Sequence, residues 1–208
     1  MLVAYGPEER PVVAEELPLE QLQSWSSEQQ LHCPNCRGVV HVRGGPGKRM
    51  QLHFAHMRGE CAWSSEGESV RHMRGKLVLA QWLRMQFPTA TVTLEERLPG
   101  PNRIADVFML HHDGRRQAIE FQCAPLELDE WQMRHAAYRD AGIIDTWIIG
   151  SNRLEKQEAF LEAVLSFARE IVFLDPLLTP AHAWLRWPAG WDAWVLARPS
   201  RATSICCA

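Results

Sequence analysis

The chain reads as an α/β protein carrying a small metal-stapled module near its N-terminus. Three observations predict this class. Short apolar segments rich in β-branched and aromatic residues alternate with stretches of helical period from residue 66 onward. Their order is a helix, three antiparallel strands around a glycine turn, a helix and a strand, as in a layered α/β core. Between Leu31 and Trp63, by contrast, cysteines, histidines and glycines replace any helical period. At 208 residues there is room for one main domain and a small accessory module. Four regions are expected: an N-terminal hairpin extension over 1–28, a zinc-finger-like module over 29–63, the α/β domain over 64–175 and a tryptophan-rich tail over 176–208.

Each element follows from its residues. Leu2-Val3-Ala4-Tyr5 and Pro11-Val12-Val13-Ala14, separated by Gly6-Pro7, predict a small hairpin. Ser65-Glu66-Gly67-Glu68 has a capping-box pattern, and Val70, Met73, Leu77 and Ala80 follow at helical spacing, so a helix is expected from about 66 to 86, ended by Phe87-Pro88. Strands are expected at 90–98, 103–111 and 116–124. A helix follows from about 128 to 141, with Trp131, Arg134 and Tyr138 on one face and Gly142 to end it. Ile143-Ile144-Asp145-Thr146-Trp147-Ile148-Ile149 is apolar enough for a strand buried on both faces. A helix around 153–169, a strand at 171–175 and a hairpin turning at Pro188-Ala189-Gly190 complete the pattern.

Composition narrows the function classes. Nine tryptophans and 46% hydrophobic residues argue against disorder. No apolar run approaches the length of a membrane span, and the first residues lack the basic-then-apolar pattern of a signal peptide, so a cytoplasmic protein is expected. In a reducing compartment the six cysteines are metal ligands or free thiols rather than disulfides. The net charge of −3 gives no global attraction to nucleic acid; local patches such as Arg71, Arg74 and Lys76, or Arg97, Arg103, Arg115 and Arg116, would have to provide it.

Asp106, Glu120 and Gln122 carry the most chemistry. They lie on two strand-like segments joined by His112-Asp113-Gly114. A three-residue loop with Gly114 in the left-handed conformation sets residue 106 opposite residue 120; a two-residue turn at Asp113-Gly114 would shift the register and separate the carboxylates. Glu120 and Gln122 share a face because side chains alternate along a strand. Two carboxylates held this close call for a shared proton or a divalent cation, and hard oxygen ligands suit Mg²⁺ or Mn²⁺. The plainer alternative pairs Asp106 with Arg103 or Arg97 and leaves Glu120 facing solvent. On the preceding helix Glu68, His72 and Lys76 form one stripe at i, i+4 and i+8.

Cys33-Pro34-Asn35-Cys36 has the spacing that lets two thiolates bind one metal from a single knuckle. His53-Phe54-Ala55-His56 and Cys61 supply the remaining ligands. His56 is favoured because four residues separate it from Cys61, with His53 as substitute. A closed four-ligand zinc site would be structural. A redox-active Cys33/Cys36 pair is the competing reading, and it lacks the helix that should follow the motif.

In this order, the Cys33-Pro-x-Cys36 knuckle, the His53-Phe-Ala-His56 segment, the Glu68/His72/Lys76 helix, Arg103-x-Ala-Asp106 and Ile119-Glu120-Phe121-Gln122 resemble the CoiA-type competence proteins of bacteria. The resemblance runs from about residue 1 to 175. It implies a zinc-finger-like N-terminal part joined to a nuclease-like domain of the PD-(D/E)XK superfamily, and a part in processing or recombining DNA taken up in natural transformation. It makes Asp106 the metal-binding aspartate, Glu120 the second acid and Gln122 the occupant of a position usually held by lysine. Lys76 or His72 would then supply the missing cation.

Three functions suit these features. The leading one is a DNA nuclease using Mg²⁺ or Mn²⁺ held by Asp106 and Glu120, with Gln122, His72 and Lys76 assisting and Glu68 completing the metal shell. Its partners would be DNA, single-stranded or branched forms included, and a recombinase or other competence proteins. The second keeps the fold as a catalytically inactive DNA-binding recombination mediator. The third is an interaction protein whose face is Trp184, Trp187, Trp191 and Trp194.

Overall fold

A computed structural model describes residues 1–57, 61, 69–98, 104–188 and 190–195, the last five of these for the backbone alone. The chain divides into two compact units, Met1–Met73 and Arg74–Ala208. No helix among the described residues is long and apolar enough to cross a membrane.

In the first unit, β1 (Val3–Tyr5) pairs antiparallel with β2 (Pro11–Val13), and β3 (Val40–Arg43) with β4 (His53–His56). Helix α1 (Leu19–Ser27) lies between these hairpins in sequence and buries Leu22. The expected N-terminal extension and the cysteine-bearing segment contribute to one core: Ala4, Ala14, Leu22, Leu31, Cys33, Val40, Leu52 and Phe54. Its strands are short, and so few large apolar side chains leave a unit of this size with a thin margin over chain entropy. A covalent or metal staple is the usual remedy.

The second unit is built on a seven-stranded sheet. Helix α2 (Val70–Gln86) precedes β5 (Thr91–Arg97), β6 (Ile104–Leu110) and β7 (Arg116–Gln122), which run antiparallel. Helix α3 (Leu128–Asp140) leads to β8 (Ile144–Gly150), parallel to β7, and α4 (Ala159–Ala168) to β9 (Ile171–Asp175), parallel to β8. The tail forms β10 (His182–Trp187) and β11 (Gly190–Val195), and β10 pairs antiparallel with β9. The sheet order is β11-β10-β9-β8-β7-β6-β5.

The turn between β6 and β7 sets the register of everything that follows. Gly114 has φ +85°, and its N–H donates to the His111 carbonyl at 2.9 Å, while the His111 N–H donates to the Arg115 carbonyl at 2.9 Å. This is the three-residue loop, and the strands pair as Val107↔Ile119 and Phe108↔Ala118. Asp106 and Glu120 stand one step further along that register.

Helices cover both faces. Trp131, Trp147, Ile149, Phe160, Leu161, Val164, Ile171 and Phe173 form one core under α3 and α4, with Trp184 of β10 packed against it. Ala118 and Tyr138 belong to a second cluster under α3. On the opposite face α2 approaches β7 so closely that a Cβ on Gly75 would fall 1.9 Å from the Phe121 ring. Only glycine permits that approach.

Two helix starts differ from the sequence expectation. The capping pattern at 65–68 lies outside the described residues; at the described start of α2 the Ser69 hydroxyl accepts the His72 N–H at 3.1 Å. Helix α4 begins at Ala159 rather than near 153. Residues Ser151–Arg153 form a short 3₁₀ turn tied down by side chains, with Asn152 Nδ2 donating to the Cys123 carbonyl at 2.8 Å and buried Arg153 ion-paired to Glu158.

Candidate functional site

Two constellations of functional side chains stand out, one in each unit. In the first, the Cys33-to-Cys36 knuckle precedes β3, His56 ends β4, and Cys61 follows. One ligand atom from each of Cys33, Cys36, His56 and Cys61 lies within 4.8 Å of the others. The knuckle closes through the Cys33 N–H to the Gly38 carbonyl at 2.8 Å and the Arg37 N–H to the Cys33 carbonyl at 3.0 Å. Backbone amides point at the sulfurs: Asn35 N–H to Cys33 Sγ at 3.3 Å and Gly38 N–H to Cys36 Sγ at 3.4 Å. Such donors stabilise thiolates. Gly38 is pressed into the cluster, since a Cβ there would stand 3.3 Å from Cys36 Sγ and 3.6 Å from His56 Cε1.

His56 Nε2 is 3.7 Å from Cys36 Sγ, and its buried Nδ1 has no hydrogen-bond partner among the described residues. His53 lies elsewhere, its Nδ1 2.7 Å from the Gln51 carbonyl oxygen. Three thiols and one imidazole converging this way could hold a metal ion, and the set is consistent with zinc.

The second constellation sits on β5, β6 and β7. Glu120 is 2% exposed, on the β7 face that meets α3. Its carboxylate accepts a hydrogen bond from the Tyr138 hydroxyl and pairs with Arg134 Nη2 at 2.6 Å. Burial raises its pKa to about 7; nearby Asp106 pushes in the same direction, while Arg134 and Tyr138 pull it down without prevailing. Burial and the adjoining Glu120 carboxylate also raise Tyr138 above its ordinary value. For Arg134 burial acts downward, but Glu120, Tyr138 and Asp106 beside it outweigh that and its pKa rises. The guanidinium also lies over the Trp147 ring, 4.8 Å from its centre.

Asp106 replaces a rung of the ladder: its Oδ2 accepts the Phe121 N–H at 2.9 Å. Its Oδ1 is 3.9 Å from the ammonium of Lys76, a residue of α2 that is only 3% exposed. Lys76 pairs more closely with Glu95 Oε1, at 2.6 Å. Glu95 has φ +50°, rare for a residue with a side chain, and the pairing of β5 with β6 passes from Leu94↔Val107 to Glu96↔Ala105 around it. The irregular residue thus stands at the step where Asp106 leaves the ladder.

The structure therefore brings Asp106, Glu120 and Lys76 into one neighbourhood, with Glu120 buried rather than facing solvent. Gln122 is half-buried, and its amide donates to the Ala124 carbonyl at 2.9 Å. His72 lies in the first turn of α2, while Glu68 and Arg103 lie outside the described residues. Sequence reasoning missed Glu95, Arg134 and Tyr138 as site residues. The last two share a helix face with Trp131, and that stripe of one arginine and two aromatics was the available signal; it reads equally well as packing. Glu95 had none, because a positive φ within a strand leaves no mark in the alternation of its neighbours.

Residues 68–177 match the family described as "Competence protein CoiA, nuclease-like domain", which is more than half of the chain. The chain belongs to the CoiA competence protein family. Residues 14–64 match the CoiA N-terminal domain. The chain is 32% identical over 148 residues to the competence protein CoiA of Bacillus subtilis strain 168; the match covers 71% of this chain and 38% of that protein, so the chain spans well under half the length of its relative. A solved protein of unknown function from Silicibacter pomeroyi is 18% identical, with 51% of this chain and 63% of that one covered at a TM-score of 0.33. The CoiA nuclease-like match contains every residue of the acidic constellation, and the CoiA N-terminal match contains all four cysteine and histidine donors.

Proposed function

We propose that the second unit is a metal-dependent DNA nuclease of the PD-(D/E)XK type, acting on DNA in natural competence and recombination. The observation that carries this reading is the meeting of Asp106, Glu120 and Lys76: two acids one step beyond the paired register of adjacent strands, with a buried ammonium 3.9 Å from one of them. A lysine is needed near the reacting phosphate to offset developing charge, and the strand position that would provide it holds Gln122. Lys76 supplies that cation from α2 instead, through a side chain whose burial fixes its direction.

Asp106 and Glu120 would hold Mg²⁺ or Mn²⁺, as their hard oxygen donors and mutual closeness suit. The ion, when bound, supplies Lewis-acid polarisation of a phosphate oxygen and a lowered pKa for water. Lys76 neutralises charge near Asp106, Gln122 orients a water or phosphate oxygen, Tyr138 fixes one Glu120 oxygen, and burial keeps bulk water from Lys76 and Glu120. His72, in the first turn of α2, and Glu68, which lies outside the described residues, are proposed to complete the shell. In the first unit Cys33, Cys36, His56 and Cys61 hold zinc, whose part is to stabilise a small core. The protein works in the cytoplasm, with a recombinase or other competence proteins as partners.

The second reading, a DNA-binding recombination mediator without chemistry, draws on the Gln122 amide being turned to the Ala124 carbonyl. The test is cleavage of labelled single-stranded, duplex and branched DNA with Mn²⁺ or Mg²⁺. Metal-dependent cutting that falls about a thousandfold in Asp106→Ala and Glu120→Ala is expected of a nuclease. DNA binding without cutting, or cutting that survives both substitutions, removes this reading in favour of the mediator.

A further inference from the structure

Resting on the nuclease reading, we infer that Arg134 is a phosphate-binding residue that the divalent cation releases from Glu120, so that DNA binding at the site is gated by the metal. Glu95, Asp106 and Glu120 bring three acids, and Lys76 and Arg134 bring two cations. With every group ionised the cluster is one charge negative, unfavourable for approach of a phosphodiester; a divalent ion reverses the sign.

Arg134 is the cation placed to respond. It meets Glu120 Oε2 at 2.6 Å, while the Tyr138 hydroxyl binds the other oxygen, Oε1, so both oxygens of the carboxylate are already engaged. A metal reaching Glu120 would compete with the guanidinium, the charged one of the two donors, and Tyr138 would keep the carboxylate in place through the exchange. Once a cation occupies Glu120, the guanidinium faces like charge and needs an anion. It cannot withdraw far, because it lies over the Trp147 ring, yet its side chain is 34% exposed against 3% for that of Glu120. A flat donor held by an aromatic face, with its open side toward solvent, suits bidentate capture of a phosphate oxygen pair. Lys76 is the poorer candidate for that role, being closed off at 4% side-chain exposure between Glu95 and Asp106.

The test uses the full-length chain, Ca²⁺ as a probe that oxygen ligands take and thiolates do not, and a labelled oligonucleotide. In the wild type, Ca²⁺ at constant ionic strength should tighten DNA binding. Arg134→Ala should bind Ca²⁺, by calorimetry without DNA, at least as tightly as the wild type, because its competitor is gone. Its DNA affinity in Ca²⁺ should be roughly ten- to a hundredfold weaker, with a salt slope lower by about one. Arg134→Lys should recover part of the affinity but not the fork geometry. Unchanged DNA affinity in Arg134→Ala overturns the inference, and so does joint loss of Ca²⁺ and DNA binding in a folded variant, which would make Arg134 a support for Glu120 only. Should Arg134→Ala fail to fold, the wild type still decides, since DNA binding indifferent to Ca²⁺ overturns the gate. A wild type that binds Ca²⁺ no better than Asp106→Asn removes the nuclease reading itself, whereas metal binding and cleavage without an Arg134 effect remove only this inference.

Discussion

The Cys33, Cys36, His56 and Cys61 donors stand within 4.8 Å of one another, whereas Asp106 and Glu120 are each already engaged by a cation of the chain, Lys76 near one and Arg134 on the other. The difference follows from the ligands. Thiols and imidazole can remain neutral while they wait, so hairpin geometry and amide-to-sulfur hydrogen bonds are enough to gather them. Carboxylates buried at Glu120's depth cannot stand bare, and must protonate or recruit a positive partner. On the proposed reading, a soft site can be assembled before its metal arrives, whereas a hard one would be held in readiness by the chain's own cations.

The largest effect should come from breaking the assembled site. Cys33→Ser should abolish bound zinc, measured by elemental analysis, and unfold the first unit, since zinc at structural sites contributes on the order of 10 kcal/mol. A strong chelator should do the same to the wild type while the melting of the second unit stays in place. If the first unit keeps its fold without zinc, the eight-residue core is sufficient and the contrast loses one side.

A smaller change is expected from removing one of the chain's own cations. Lys76→Met should destabilise the second unit by about 3 kcal/mol in chelator, the usual cost of breaking a buried pair. Ca²⁺ should restore much of that, which the same substitution read by denaturant midpoint in both conditions will decide. No recovery would mean that a cation at Asp106 does not offset the loss of Lys76, and that the pair of Lys76 with Glu95 is structural alone.

The Glu120 proton gives a third handle of similar or lesser size. Its folded pKa of about 7 lies above the ordinary 4.5, so its stabilising contribution is fully present below about pH 4.5 and is lost as pH rises through 7. The shift corresponds to on the order of 3 kcal/mol across that window. Without divalent ions, the melting temperature of the wild type should fall relative to Glu120→Gln between pH 5 and pH 8. Parallel profiles would show that Arg134 keeps Glu120 ionised throughout.

Trp184→Ala should matter least, costing about 1–2 kcal/mol because the ring is half-buried against the α4 core. DNA affinity should not change; a large loss of binding with the fold intact would revive the interaction-surface reading of the tail.

Much of this contrast was legible in the sequence. The knuckle spacing, the glycine turn and the strand alternation are local, and they led to the four donors and to the register that sets Asp106 against Glu120. Tertiary partners were not legible. Arg134 and Tyr138 acquire their meaning only when α3 lies over β7, and Glu95 only when its φ turns positive. The start of α4 was misplaced because Arg153 and Asn152 make side-chain bonds that compete with a helical start.

The sheet order has a kinetic consequence. Its strands lie side by side in the order in which they occur along the chain, β5 through β11. Each new strand can therefore add to the edge left by the one before, with no need for a distant segment to return between two others, and contacts that close short loops form ahead of costly long ones. During synthesis the acid-bearing strands can be complete once β8 has emerged, and the β10–β11 hairpin then adds to β9, moving the outer edge of that side of the sheet from β9 to β11.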